Sequence, residues 1–183
     1  GSVKEGLSST LSNRSYSKVV VIIDENTEDH CLPLIADVLP EFTSIRISSG
    51  ERHKTIQTCE YIWSQMIDLQ LDRHALVINL GGGVIGDMGG FCARTYKRGI
   101  DFLQIPTTLL SQVDASVGGK LGVDFQGIKN IVGLFYDPIA VLIDPAFLST
   151  LTSGELRSGY AEIVKHGMIA DVELWNDTKI YRP

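Results

Sequence analysis

The sequence predicts an α/β protein: a Rossmann-like, mostly parallel sheet with flanking helices, followed by the start of a helical C-terminal domain that is truncated. Three observations predict it. Short β-branched runs alternate with segments of helical period over the first 150 residues. One of those runs, ALVINL, feeds directly into three consecutive glycines. From Thr152 onward the pattern is helical only. Strands alternating with helices imply right-handed β-α-β connections and a parallel sheet.

Residues 18–23 (KVVVII) read as a strand buried on both faces, ended by the acidic turn Asp24-Glu25-Asn26. A helix is expected over residues 28–39, stopped at Pro40. Residues 42–48 (FTSIRIS) alternate in period two and give a second strand. Gly50 then breaks the chain before a strongly helical segment, 55–71, with Ile56, Cys59, Ile62, Trp63 and Met66 on its apolar stripe. Residues 75–80 form the third strand, and the small, apolar residues 84–93 a helix packed closely on the sheet. Residues 101–105 (DFLQI) add a strand closed by Pro106, and residues 140–143 (AVLI) another after Pro138. A change of composition over 145–152 divides the chain into residues 1–150 and residues 151–183, the second too short to build its own core.

With 44% hydrophobic and 21% charged residues, the 183-residue chain buries a core and is not disordered. A net charge of −6 argues against a nucleic-acid partner. The local cluster Arg94, Lys97 and Arg98 still leaves room for a small anionic ligand. Cys31, Cys59 and Cys92 are odd in number and far apart, as buried thiols of a reducing compartment are. No stretch reaches the length of a membrane span and no signal peptide precedes the first strand, so a cytoplasmic protein without a membrane partner is expected. Gly1-Ser2 reads as a cloning remnant.

A strand running into Gly81-Gly82-Gly83 can turn sharply, and the helix that follows begins with free N–H groups and the positive end of its dipole. That makes an anion site, with Asp87 placed to reach a ribose, a metal or the helix start. The spacing is not G-x-G-x-x-G, so a close-packed strand–helix turn remains the alternative. The run from Pro106 to Lys120 is dense in hydroxyls and holds one acid, Asp114, and one base, Lys120. In a buried cleft floor they must be paired or used. Lys129-Asn130 is a polar pair close behind Gly127. Glu155, Glu162 and Lys165 fall on one presumptive helix, with Glu162 and Lys165 sharing a face as either an ion pair or site residues. His166, four residues from Glu162, could share a metal with it, though a structural role is favoured.

Residues 81–124, GGGVIGDMGGFCARTYKRGIDFLQIPTTLLSQVDASVGGKLGVD, resemble the signature block of the 3-dehydroquinate synthase family. So do GIKNIVGLFYDP and GYAEIVKHG, and the resemblance spans residues 19–167. It implies an N-terminal NAD domain, a helical C-terminal metal domain and an active site between them. The implied reaction turns the seven-carbon sugar phosphate DAHP into 3-dehydroquinate and phosphate in the shikimate pathway, with NAD and a divalent metal, zinc or cobalt.

By motif, the resemblance assigns Asp24, Glu51, Lys54, Gly81, Gly82, Gly83, Asp87, Thr107, Thr108, Thr150, Leu151 and Glu155 to NAD. It assigns Arg98, Asp114, Lys120, Lys129, Asn130 and Lys165 to the substrate, and Glu162 to the metal. Arg98 implies a homodimer, because in the family this position reaches a neighbouring subunit's phosphate site. The two further histidine ligands of the family lie beyond residue 183, and His166 matches no family ligand. The chain is therefore expected to be an N-terminal fragment without turnover. Alternatives are another sugar phosphate cyclase, such as a 2-deoxy-scyllo-inosose or aminodehydroquinate synthase, a member of the iron-dependent alcohol dehydrogenase group, or a non-catalytic nucleotide-binding module.

Overall fold

The computed structural model describes residues 2–12 and 14–180. Among these, β1 (Val19–Asp24), β2 (Phe42–Ile47), β3 (Leu76–Gly81) and β4 (Asp101–Pro106) form a parallel sheet in the order β2-β1-β3-β4. The α/β class expected from the sequence is the class observed. Helices α1 (Val3–Ser12), α2 (Glu25–His30), α3 (Ile56–Asp68) and α4 (Gly83–Thr95) flank it. An antiparallel hairpin follows, β5 (Lys120–Phe125) and β6 (Ile128–Phe135). The described chain then ends in α5 (Ser153–Ala170) and α6 (Val172–Ile180).

The core has two layers, one on each face of the sheet. Val20, Ile22, Ile45 and Val77 meet Cys59, Ile62 and Met66 of α3 and Met88 and Cys92 of α4. On the other face Val21, Ile23, Ile78, Leu80 and Ile105 meet Val3 and Leu7 of α1, Ile35 and Phe147. Consecutive residues of β1 and β3 therefore point into opposite apolar layers, which is why those strands read as unbroken apolar runs. Each fully buried aliphatic side chain is worth about 1.5–3 kcal/mol against exposure.

Two expectations need correction. No single helix spans 28–39. α2 begins earlier, because Asp24 caps it: its carboxylate accepts from the Thr27 N–H while the Thr27 hydroxyl accepts from the Asp24 N–H. It ends at His30, and the chain continues as 3-10 turns at Leu32–Leu34 and Ala36–Val38. Pro33 has no N–H and its ring crowds the preceding turn, so an α-helix cannot run through it. Residues 140–143 are not a full strand either. They touch β4 through one bridge, Gln104 to Val141, bracketed by Pro138 and Pro145, which supply no N–H. α1 and the β5–β6 hairpin were not anticipated. Gly1, Asn13 and residues 181–183, within the expected domain ranges, lie outside the described residues.

Candidate functional site

β3 carries Gly81 to the C-terminal edge of the sheet, where Gly82 caps α4 without any side-chain bond. Gly86 N–H already bonds back to Gly82 O, so the N–H groups of the preceding first-turn residues have no helical partner. They open onto a cleft of about 640 Å³ lined by Asp24, Cys31, Gly82, Gly83, Thr107, Thr108, Thr150, Leu151 and Glu155. The chain turns to opposite sides of β1 on leaving β1 and β3, so this cleft lies at the topological switch point of the sheet, beyond the carboxyl ends of the strands. A Cβ at Gly82 would stand 3.1 Å from the Thr108 methyl, and glycine keeps that approach open.

The walls are fixed by short-range bonds. Thr107 is buried, its N–H donating to Gly81 O at 3.1 Å. Thr108 and Ser111 hydroxyls lie 2.8 Å apart and lock the turn after β4. Glu155 spends its carboxylate on the N-cap of α5, accepting from the Thr152 N–H at 2.9 Å and hydroxyl at 2.8 Å. One carboxylate oxygen of Asp24 is likewise committed to its helix cap. Burial pushes the Cys31 thiol up to about 11, which leaves it an unreactive wall group.

A second cleft, of about 510 Å³, lies a turn further along α4. It is lined by Asp87, Asp114, Lys120, Leu121, Asn130 and Phe135, among others. Beneath it the Lys54 ammonium, 4% exposed, donates to Asp87 Oδ2 at 2.5 Å and Asn130 Oδ1 at 2.6 Å. Desolvation outweighs that attraction and holds the Asp87 carboxyl above the ordinary carboxylate value. Asn130 takes a left-handed φ of 53° and donates its N–H to Asp124 Oδ1 at 2.8 Å, so the Lys54 pairing also anchors the hairpin. Lys120 stands 4.0 Å from Asp114.

The residues expected to bind one nucleotide are thus divided. Asp24, Gly82, Gly83, Thr107, Thr108, Thr150, Leu151 and Glu155 line the glycine cleft. Gly81 sits just behind it, and Asp87 faces the second cleft. Lys54 lies under the second cleft too, whereas Glu51 pairs with Lys129 at 3.1 Å and neither lines that cleft. Arg98 lines neither cleft: it sits on an exposed turn where Lys97, Arg98 and Gly99 have φ of 48°, 68° and 115°. Glu162 and Lys165 form an ion pair on α5, as their spacing allows, and Glu162 keeps Lys165 protonated beyond its ordinary range. His166 reaches Asp114 and Glu162, their ligand atoms all within 4.8 Å of one another. Its four-residue spacing from Glu162 was visible in the sequence, but the approach of Asp114 depends on a π-helical turn, Ser111–Ala115, which carries no sequence signal.

The family model for the 3-dehydroquinate synthase N-terminal domain matches residues 44–158. The chain belongs to the 3-dehydroquinate synthase family. A curated 3-dehydroquinate synthase from Parabacteroides distasonis is 42% identical over 98% of the chain and 51% of its own length. The chain spans about half the length of the curated synthases it matches. Among solved structures, a 2-deoxy-scyllo-inosose synthase complexed with carbaglucose-6-phosphate, NAD+ and Co2+ is 28% identical, with a TM-score of 0.83 over 90% of the chain and 46% of its own. The 2-epi-5-epi-valiolone synthase ValA of Streptomyces hygroscopicus, with NAD+ and Zn2+ bound, is 34% identical, with a TM-score of 0.83 over 92% of the chain and 48% of its own. In synthase terms, the block from Gly81 to Asp124 supplies the glycine cleft, the turn after β4 and half of the hairpin. No helix among the described residues is long and apolar enough to cross a membrane.

Proposed function

We propose that the chain carries the cofactor half of a 3-dehydroquinate synthase, the shikimate-pathway enzyme that converts DAHP into 3-dehydroquinate and phosphate. The single observation that carries this reading is the glycine-ended β3–α4 junction facing a cleft at the switch point of the sheet. NAD fits that cleft. Uncapped first-turn N–H groups suit a pyrophosphate, the bare Gly82–Gly83 backbone admits it, and Asp24 offers a carboxylate to a ribose. When bound, NAD supplies a reversible hydride acceptor for a secondary alcohol of the substrate. The resulting ketone acidifies the adjacent C–H, phosphate leaves by elimination, and reduction, ring opening and an aldol closure complete the product.

The chain's own groups supply binding and orientation. Lys120 and Lys165 suit the substrate's carboxylate and phosphate, where charge-assisted bonds are strong. The Asn130 amide has its oxygen held by Lys54, so its NH₂ group is the part left to donate to a substrate oxygen. Arg98 serves a second copy in a homodimer. Asp114, Glu162 and His166 would hold a divalent cation, whose chemistry when bound is to polarise a substrate oxygen. Residues 1–150 form the NAD domain and residues 151–183 begin the metal domain, in a cytoplasmic enzyme. Identity of 42% to a dehydroquinate synthase, against 28% and 34% to the two other cyclases, favours DAHP as the substrate.

Asp24→Asn tests the cofactor reading. Asparagine caps helices as well as aspartate, so the melting temperature stays within a few degrees while the charge is lost. Calorimetric titration with NAD is expected to weaken about tenfold. Unchanged affinity in a folded variant contradicts the assignment of Asp24 to the ribose.

A further inference from the structure

The glycine cleft is bounded on one side by the turn after β4, which carries Thr107 and Thr108, and on the other by Thr150, Leu151 and Glu155. The first wall belongs to the sheet, since Thr107 donates its N–H to Gly81 O. The second does not. After the single bridge from Gln104 to Val141 the chain leaves β4 and runs as a 3-10 turn, Pro145–Thr150, into α5. Phe147 roots that turn in the core, and the two ends of the segment are fixed to one short stretch, residues 109–112. At the far end Gly159 of α5 lies against it, where a Cβ would stand 2.5 Å from the Leu110 N and 2.6 Å from the Leu109 Cβ. At the near end the attachment is polar. The Gln112 Nε2 donates to Asp144 O at 2.9 Å and to Pro106 O at 3.1 Å.

Gln112 is 7% exposed, and its Nε2 serves carbonyl oxygens of two different segments, 6 and 32 residues away. Carbonyls only accept, so only the NH₂ end of the carboxamide can face them. One of these carbonyls ends β4, directly before the Thr107 wall. The other precedes the 3-10 turn that leads to Thr150 and Leu151, and it also receives the Phe147 N–H. The carboxamide therefore joins the two walls at their base, and its length sets their separation. A dinucleotide long enough to touch both walls binds more tightly when they already stand at the right spacing, because less has to be ordered on binding. We propose that Gln112 is a positioning residue that holds the two walls of the glycine cleft at the spacing a dinucleotide requires. Gln112 does not line the cleft and acts through the walls. The inference rests on the functional reading above for the identity of the ligand.

The test is Gln112→Met, which keeps the length of the side chain and removes both donor hydrogens. Amide hydrogen exchange of the free chain should accelerate about tenfold at Phe147 and Leu151, whose N–H groups are bonded within the second wall, and stay unchanged at Thr107. NAD should bind about tenfold more weakly in a calorimetric titration. Inorganic pyrophosphate, which can reach the N-terminus of α4 without touching the second wall, should keep its affinity within about twofold. Gln112→Glu has the same shape with an acceptor in place of the donors, and should bind NAD no better than Gln112→Met. Exchange that accelerates by the same factor at Thr107, or equal losses for NAD and pyrophosphate, makes Gln112 a general stabiliser and overturns the proposal. So does a folded variant that binds NAD as tightly as the wild-type chain. NAD that fails to bind the wild-type chain, while Phe147 and Leu151 respond as expected, contradicts the cofactor reading and leaves the spacing role standing.

Discussion

Replacing Lys54 by methionine should destabilise the chain by about 3–5 kcal/mol, the usual cost of removing one partner of a buried ion pair. Lys54 is 4% exposed, and its ammonium is the donor shared by Asp87 and Asn130. Without it, Asp87 keeps a charge in a site that already disfavours charge, and the Asn130 carbonyl loses its partner. The effect should depend on pH in a defined direction. Asp87 in the folded chain sits above its ordinary value of 3.8, so between those two values the folded state binds more protons than the unfolded state. Stability therefore falls as pH rises through that window. Removing Lys54 raises the folded value further and widens the window. The penalty of Lys54→Met, measured by urea unfolding, should be smaller at acidic than at neutral pH. Adding Asp87→Leu should recover most of the loss, because the orphaned charge goes with it. A penalty that is independent of pH and is not relieved by the second substitution contradicts this account.

Gly89→Ala should cost about 3 kcal/mol, the upper part of the range for overpacking a core. Gly89 faces β3 from α4, and the Asn79 carboxamide oxygen occupies the place where a Cβ would go. Asn79 is buried, and neither polar atom of its side chain has a hydrogen-bond partner, so it has nothing to trade when it is pushed. β3 is an interior strand of the sheet and cannot shift without disturbing β1 and β4, which pair with it. The informative comparison is the double variant Asn79→Ala with Gly89→Ala, which gives the methyl group its room. It should be more stable than Gly89→Ala alone by about 1–2 kcal/mol, as expected for neighbours that share one space. Additive losses in chemical denaturation contradict this contact.

Much of this architecture was legible because burial on both faces leaves an unambiguous pattern. β1 is apolar up to Asp24, β3 apolar up to Gly81 apart from Asn79, and β4 buried along most of its length despite Asp101 and Gln104, and each ends at a turn-forming residue. The glycine turn was legible for a related reason, since three glycines after a buried strand have few other uses. The β5–β6 hairpin was not. Its two-residue loop is Gln126-Gly127, both with positive φ of 51° and 78°, and glutamine advertises such a turn far less than asparagine does. Most of β6 is exposed, so no alternation marks it. α1 was missed because a serine-rich surface hides a stripe built on Val3 and Leu7. At the site, residue types were readable and groupings were not. The sequence sets Lys54 beside Glu51, whereas the fold sends its ammonium to Asp87 and Asn130, residues 33 and 76 positions away. His166 gained its company from the same kind of long-range closure.

The central claim is that the cleft in front of α4 holds the pyrophosphate of NAD. Phosphorus NMR of NAD titrated with the chain tests it most directly, because it reports on the pyrophosphate itself. The account predicts that the pyrophosphate resonances shift and broaden on adding the wild-type chain. They should stay unmoved with Gly83→Val, whose side chain fills the approach beside Ala115, where a Cβ already comes within 3.3 Å. Pyrophosphate resonances unmoved by the wild-type chain, or moved equally by a folded Gly83→Val variant, contradict it.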